Sequence, residues 1–495
     1  MRYLLFTLGL LGAASSVTAQ QAAPAALSLA DAIAIARDRN PTYRQTVNNR
    51  GPAAWATRNA FASLLIPQAT LSGSLGYSGT GSQRFLTSNF SQSYATVNSS
   101  YSIGLDWTLS GATLSQPGLR KAELTAADAD IDGARATLES AVTQQYLTVL
   151  QARDNVDVAE RLVARDEEFL KLAQARYAVG QATLIDVRQA QVARGQAQVT
   201  LLRARTTQRV EKLRLFEQMG ISAPTATDSV QLTDSFVVQA PAWEMEALLT
   251  MAEAQNPALQ ALRARERSAA WGVRAAAANW GPTLFLSAGW SGFTQAFAKS
   301  RDLDQVIGSE QAASGVQYND CQANNTIRVN NGFPASQNCS AFVWSASREQ
   351  LLRDQNNIFP FSFIGQPFQA RLTVTLPLWT NFQQPQQVAE AKALRQDLEE
   401  GVRARGLGLQ TEVSQAFLTL QSAYQAVAIQ DTNRVLGREQ VQLATDRYKV
   451  GSGTFFELLD AQVAALRAET EYIAAVYDYH RAVASLEAAV GRRLR

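Results

Sequence analysis

Histidine is almost absent from this chain of 495 residues, where His480 is the only one. A metal cluster or a His-centred triad needs more than that. No GxxxxGK[ST] run occurs, which excludes the common phosphate-binding loop. Charge of one sign is missing too: 45 Lys and Arg stand against 43 Asp and Glu, a net charge of +2 with no footprint for nucleic acid. Beyond the N-terminus there is no run of 18 apolar residues, so no transmembrane helix is expected. A route across a membrane would then have to use β-strands. These absences argue against an enzyme, a resident metal and a cofactor.

What is present begins with an export signal. Arg2 supplies a positive start, Tyr3 to Leu11 an apolar core, and Val17-Thr18-Ala19 a small-residue cleavage site. Residues 1–19 are expected to be removed, leaving Gln20 first. No cysteine follows the site, so no lipid attachment is expected there.

The rest of the chain is duplicated. QARYAVGQATLIDVRQAQVA at 174–193 and TDRYKVGSGTFFELLDAQVA at 445–464 share nine of twenty positions at an offset of 271. NPTYRQ at 40–45 matches NPALQA at 256–261, an offset of 216. The difference of about 55 residues is an insertion in the second copy. The repeats are expected at 20–222 and 242–495, joined by a Thr-, Asp- and Val-rich linker at 223–241.

Each copy reads as helix, strand, loop, strand, long helix, turn, helix. The first helix is expected from Leu29 to Leu65, ended by Pro67. Leu71, Gly73, Leu75 and Tyr77 alternate with polar residues, as do Tyr101, Ile103, Leu105, Trp107 and Leu109. The second copy repeats this with Leu284, Leu286, Ala288 and Trp290, then Leu372, Val374, Leu376 and Leu378. Period two marks strands.

Long helices are expected over Gly118–Ala178 and Pro385–Lys449, each a rod of roughly 90 Å at about 1.5 Å per residue. Leu138, Val142, Tyr146, Val149, Arg153 and Val156 step by four and three, as do Leu409, Val413, Phe417, Leu420, Tyr424 and Val427. Such spacing packs helix on helix and carries no chemistry. Gly180 and Gly451 break the rods, and Thr183 and Thr454 suit caps for the returning helices.

Four strands cannot close a barrel, since about eight is the smallest closed membrane barrel. An open edge is not tolerated in lipid. Either several chains share one barrel, with Trp107, Trp290, Trp379, Tyr77 and Tyr101 as an interfacial girdle, or the strands form a soluble sheet. Residues 297–366 form the insertion, Asn-, Gln- and Ser-rich, and read as a long external loop. It holds Cys321 and Cys339, the only cysteines. In an exported chain the pair is expected to form a disulfide. Zinc is excluded for want of ligands.

The two RYxVGxxTxxD/E hairpins at 176–187 and 447–458, each behind a strand pair and a long helix, closely resemble the TolC-type outer-membrane efflux protein family. The resemblance spans nearly the whole chain. It implies a mixed α and β membrane protein: a homotrimer whose four strands per chain make a 12-stranded outer-membrane β-barrel, continued by an α-helical coiled-coil barrel in the periplasm. It implies a passive exit duct for tripartite efflux or type I secretion, with a periplasmic adaptor and an inner-membrane transporter as partners. The competing expectation is a coiled-coil stalk or adhesin that anchors without transport.

The resemblance also assigns residues. Glu457 and Asp460, with Asp186 in the first copy and Tyr448 before the second tip, match the family's periplasmic aperture. Val179, Gly180, Val450 and Gly451 match the tips that dock the adaptor. One departure stands out: some members carry a basic residue where this chain has Gly453.

Overall fold

The computed structural model describes residues 26–85, 88–92, 94–223 and 230–494. The export signal expected at 1–19, and 224–229 of the linker, lie outside them. In chain order the elements are β1 (Ala26–Leu27), α1 (Leu29–Arg39), α2 (Pro41–Asn48), α3 (Arg50–Leu65), β2 (Gln68–Ser78), β3 (Gly81–Phe85), β4 (Ser88–Gln92) and β5 (Thr96–Leu109). Then come α4 (Gly111–Ala178), α5 (Leu184–Met219) and β6 (Gln231–Leu232). The second half has α6 (Met245–Gln255), α7 (Pro257–Ala278), β7 (Thr283–Phe297), α8 (Ser300–Asn330), α9 (Ala346–Asn356), β8 (Ile364–Gly365), β9 (Gln369–Thr375), α10 (Gln383–Lys449) and α11 (Phe455–Val490).

The compact units are not the repeats. Among the described residues, those up to Thr57, those in Gly118–Val273 and those from Ala389 onward form a helical unit; those in Arg58–Pro117 and Arg274–Val388 form a strand unit. Each unit draws on both repeats.

The helical unit has two related cores. Leu138, Val142, Tyr146 and Val149 of α4 close on Leu215, Phe216 and Met219 of α5 and Ile33 of α1. Leu409, Val413, Phe417 and Leu420 of α10 close on Leu248, Leu259, Val483, Leu486 and Val490. Each fully buried Leu or Phe contributes about 1.5–3 kcal/mol. Arg153 and Tyr424 leave the expected stripes: Arg153 pairs with Asp154 at 3.0 Å, and Tyr424 lies at the surface with its ring toward Tyr479.

The expected helix over Leu29–Leu65 is three helices. Pro41 drives Asn40 out of the helical region, to φ −61° and ψ 120°, and Asn40 caps α2 by accepting from the Tyr43 N–H at 3.0 Å. Asn256 repeats this before Pro257. Asn40 Nδ2 donates to the Gln218 carbonyl at 2.8 Å, and Asn256 Nδ2 to the Ala489 carbonyl at 2.9 Å. The glycine that ends each returning helix, Gly220 at φ 73° and Gly491 at φ 81°, lies against that same Asn-Pro turn. The duplication therefore repeats a helix-end lock.

In the strand unit β2, β5, β7 and β9 form an antiparallel sheet in that order, and β8 pairs with β7 beyond β9. Register sorts its faces. Leu71, Ile103, Trp290, Leu286 and Leu372 share one face with Leu105, Leu284 and Val374. The other carries Ser72, Ser74, Ser100, Ser102, Ser287 and Ser291, with Ser72–Ser102 and Ser74–Ser100 hydroxyls 2.7 and 2.8 Å apart. Leu71, Leu75, Leu372 and Val374 on the apolar face are exposed. Edge strands β2 and β9 each have one partner. Leu376 and Leu378 do not continue β9, because Pro377 cannot donate to the ladder.

The insertion at 297–366 is chiefly helical, not a loop. Leu303, Ile307, Ser314 and Cys321 are the buried positions of α8, spaced by four and sevens. Few apolar residues suffice because the Cys321–Cys339 disulfide ties the helix to the chain beyond it. A closed loop of this size stabilises by about 3 kcal/mol in the entropy model. Arg353 adds ion pairs to Asp304 and Glu349.

Candidate functional site at the hairpin tips

The repeated RYxVG segments end α4 and α10. Gly180 at φ 76° and Gly451 at φ 80° adopt the left-handed conformation that side chains disfavour. The Gln181 N–H donates to the Arg176 carbonyl at 2.8 Å and the Ser452 N–H to the Arg447 carbonyl at 2.9 Å, which satisfies the last helical carbonyls. Thr183 then caps α5, accepting from the Asp186 N–H at 3.3 Å, and Thr454 caps α11, accepting from the Glu457 N–H at 3.2 Å.

The acidic residues assigned to the aperture are held differently. Asp186 is half-buried, and its Oδ2 accepts from the Thr183 N–H at 2.8 Å and the Thr183 hydroxyl at 2.9 Å. That closes a capping box and fixes the carboxylate. Glu457 is exposed with Arg447 3.7 Å away. Asp460 is exposed. Of the three, Asp460 alone carries no side-chain partner among the described residues. A side chain at Gly453 would come within 3.2 Å of Glu457 Oε2 and 3.1 Å of Arg447 Cβ. Arg447 and Glu457 thus occupy the space that a basic residue at 453 would take.

Tyr448 does not project from the tip. It is 4% exposed and packs with Ala173, Val187, Ala190, Phe455 and Leu458. Its place on α10 turns it toward Ala173, Val187 and Ala190 of the first hairpin, and its ring meets Phe455 of its own hairpin at 5.7 Å. Burial pushes its phenol up from the usual range; the Asp186 charge adds to this and Arg176 opposes it.

Arg176, which the motif reading left without a role, joins the two hairpins. Its guanidinium lies 4.5 Å over the Tyr448 ring and donates to the Tyr448 carbonyl. It also donates to the Gln181 carbonyl of its own tip at 3.2 Å. Its signal was the invariance of Arg between the two motif copies, but the copies use it differently.

Val179 and Val450 stand out from the tips at 69% and 79% exposure, beside Gly180 and Gly451. Leu184, Ile185, Val192, Phe456 and Leu459 line a shallow apolar cavity of about 560 Å³ next to them. Among the described residues no group of three or more His, Cys, Asp or Glu is placed to hold a metal. The arrangement offers apolar tips for a partner and a carboxylate beside them; it offers no nucleophile with a base.

Known proteins fit this geometry. A family model described as "outer membrane efflux protein" matches residues 32–220 and 342–492. No curated protein matches. Among solved structures, the outer membrane protein VceC of Vibrio cholerae superposes with a TM-score of 0.68 at 17% identity, covering 94% of this chain and 97% of its own. The CmeC outer membrane channel of Campylobacter jejuni gives 0.68 at 14%, covering 94% and 85%. The open-state MtrE outer membrane channel of Neisseria gonorrhoeae gives 0.65 at 18%, covering 94% and 89%.

Proposed function

From a chain that belongs to the outer membrane efflux protein family, we propose a trimeric exit duct. The family places the protein in the bacterial outer membrane, with its helical part in the periplasm, and makes it a transport channel and not an enzyme. In the proposed assembly three chains contribute four strands each to one barrel. Substrate arrives from an inner-membrane transporter through a periplasmic adaptor and passes without chemistry. Val179-Gly180 and Val450-Gly451 dock the adaptor, and Asp460 with Glu457 lines the aperture.

The observation that carries this is the sheet. One face is apolar and exposed, the other is hydroxyl-rich, and among the described residues both edge strands lack a second partner. Lipid does not tolerate such edges, so closure needs further copies. A hydroxyl-rich inner face then wets the bore.

The test is single-channel conductance of the purified protein in a planar bilayer under a salt gradient. Stable, cation-selective steps support the duct, and Asp460→Asn is expected to lower the selectivity. Absence of current from the wild type and from Arg176→Ala alike would leave the anchored stalk as the better reading.

A further inference from the structure

The hydroxyl-rich face of the sheet carries an apolar cross-strand pair that nothing above uses, apart from Phe285, which sits eight residues away on β7 between Thr108 and Thr373. Phe293 of β7 and Ile364 of β8 are direct cross-strand partners on that face. They are exposed at 46% and 55%. Their row continues through Ser100 and Ser74, whose hydroxyls are 2.8 Å apart. Among the described residues of the sheet, the only charges on this face share another row, Asp106 and Arg371, joined through Ser287. The two rows are six residues apart on β7, about 20 Å at ~3.3 Å per residue.

We propose that Phe293 and Ile364 form, with Ser74 and Ser100, a binding subsite in the bore for small amphiphiles. The occupant is a molecule with an aromatic or alkyl part and a hydrogen-bonding part. Two observations select that chemistry. The apolar pair and the hydroxyl pair are adjacent on one row, so a ligand of mixed character meets both at once. The opposite charges of Asp106 and Arg371 give this face no net sign, so selection here is by apolar contact and not by charge.

The inference rests on the proposed barrel, whose bore this face would line. Three copies would set three apolar patches alternating with three serine arcs. Passing amphiphiles would pause at this row, while hydrophilic ions would not.

The experiment uses the full-length protein in planar bilayers. Its two cysteines are bonded to each other, so an introduced cysteine is the only free thiol. Phe293→Cys and Ile364→Cys are expected to react with a charged, membrane-impermeant methanethiosulfonate and lower the current; Leu286→Cys, on the apolar face, is not. Block by tetraphenylphosphonium is then compared with block by tetramethylammonium. The wild type is expected to hold the aromatic cation longer. Phe293→Ser with Ile364→Ser is expected to shorten that dwell about tenfold, and Phe285→Ser to leave it unchanged. If the serine pair does not assemble, Phe293→Thr with Ile364→Thr repeats the measurement on strand-favouring residues. An unchanged dwell in the double variant overturns the subsite. Unreactive cysteines in a conducting channel overturn it too, since a neighbouring copy then covers the pair. If the wild type is silent, the same measurements are made in the Arg176→Ala background; a wild type and an Arg176→Ala variant both without current overturn the duct itself, which separates the two failures.

Discussion

The two hairpin tips share a backbone and divide their labour by side chain. Both end in a left-handed glycine and restart from a threonine cap. Yet Arg176 crosses to Tyr448 of the other repeat, while Arg447, at the same motif position, stays beside Glu457 and the Ser452 carbonyl of its own tip. Asp186 is locked in a capping box; Glu457 caps only through its N–H. Duplication thus kept what the turn requires and released what the interface requires. Backbone geometry is the shared part, and long polar side chains carry the asymmetry.

The shared part should break most severely. At Gly220 a Cβ would lie 2.5 Å from the Arg39 carbonyl oxygen; at Gly491 it would lie 2.9 Å from that of Gln255. Each also has a positive φ, which alone costs a side chain about 1–2 kcal/mol. Gly220→Ala and Gly491→Ala are expected to destabilise by about 2–4 kcal/mol, Gly220→Ala the more, in urea unfolding of the purified protein. Equal and negligible losses would mean the Asn-Pro turns yield freely and the lock is not a constraint.

The asymmetric part should separate the arginines. Arg176→Ala removes a stacked cation and a charged hydrogen-bond donor from a half-buried site, and is expected to cost about 2 kcal/mol. Faster amide exchange over Ala444–Phe455 would report it, together with a higher open probability in bilayers. Arg447→Ala loses an exposed pair at 3.7 Å and is expected to cost under about 0.5 kcal/mol. Similar effects from both would erase the distinction drawn between the tips.

Caps should give a smaller difference of the same sign. Thr183→Ala and Thr454→Ala each lose an N-cap, worth about 1 kcal/mol. Thr183→Ala is expected to cost somewhat more, because it also opens the bond from its hydroxyl to Asp186. Thermal unfolding of the pair would measure the gap, and a larger loss at Thr454 would contradict the box.

Much of this was readable from residues because it depends on local rules. The RYxVG copies, the glycines and the threonine caps are punctuation that any helical hairpin obeys. Alternation placed the strands. Rules that are local can also be overlooked: Asn40-Pro41 carried its break openly, yet the helix was expected to run through it. Pro377 likewise ended a strand whose leucine alternation continued. The insertion failed for a different reason. Its Asn and Gln content signals loop, but four buried positions and one disulfide are enough to hold α8. The contact between Arg176 and Tyr448 could not be read at all. Their contact joins residues 272 apart, and only the packing of one hairpin on the other decides which face Tyr448 presents.

That packing leaves one small, pH-dependent difference between the repeats. Tyr448 is buried with its hydroxyl unpartnered, while Tyr177, its counterpart in the first repeat, is 47% exposed. Burial raises the Tyr448 phenol above its ordinary value of 10.0. In alkali the unfolded chain therefore releases this proton before the folded one does, and the folded state binds more protons. Stability then falls as pH rises. The contribution is present in full below about pH 10, the unfolded value, and is lost above it as pH climbs through the raised folded value. Tyr448→Phe keeps the ring under Arg176 and removes the proton. It is expected to match the wild type within about 0.5 kcal/mol at pH 7, since no hydrogen bond is lost. Above pH 10 it should unfold at higher urea than the wild type. Tyr177→Phe is the control and should leave the alkaline limb in place. If Tyr448→Phe loses stability at pH 7, the hydroxyl has a partner in the assembled protein, and Tyr448 belongs to the aperture after all.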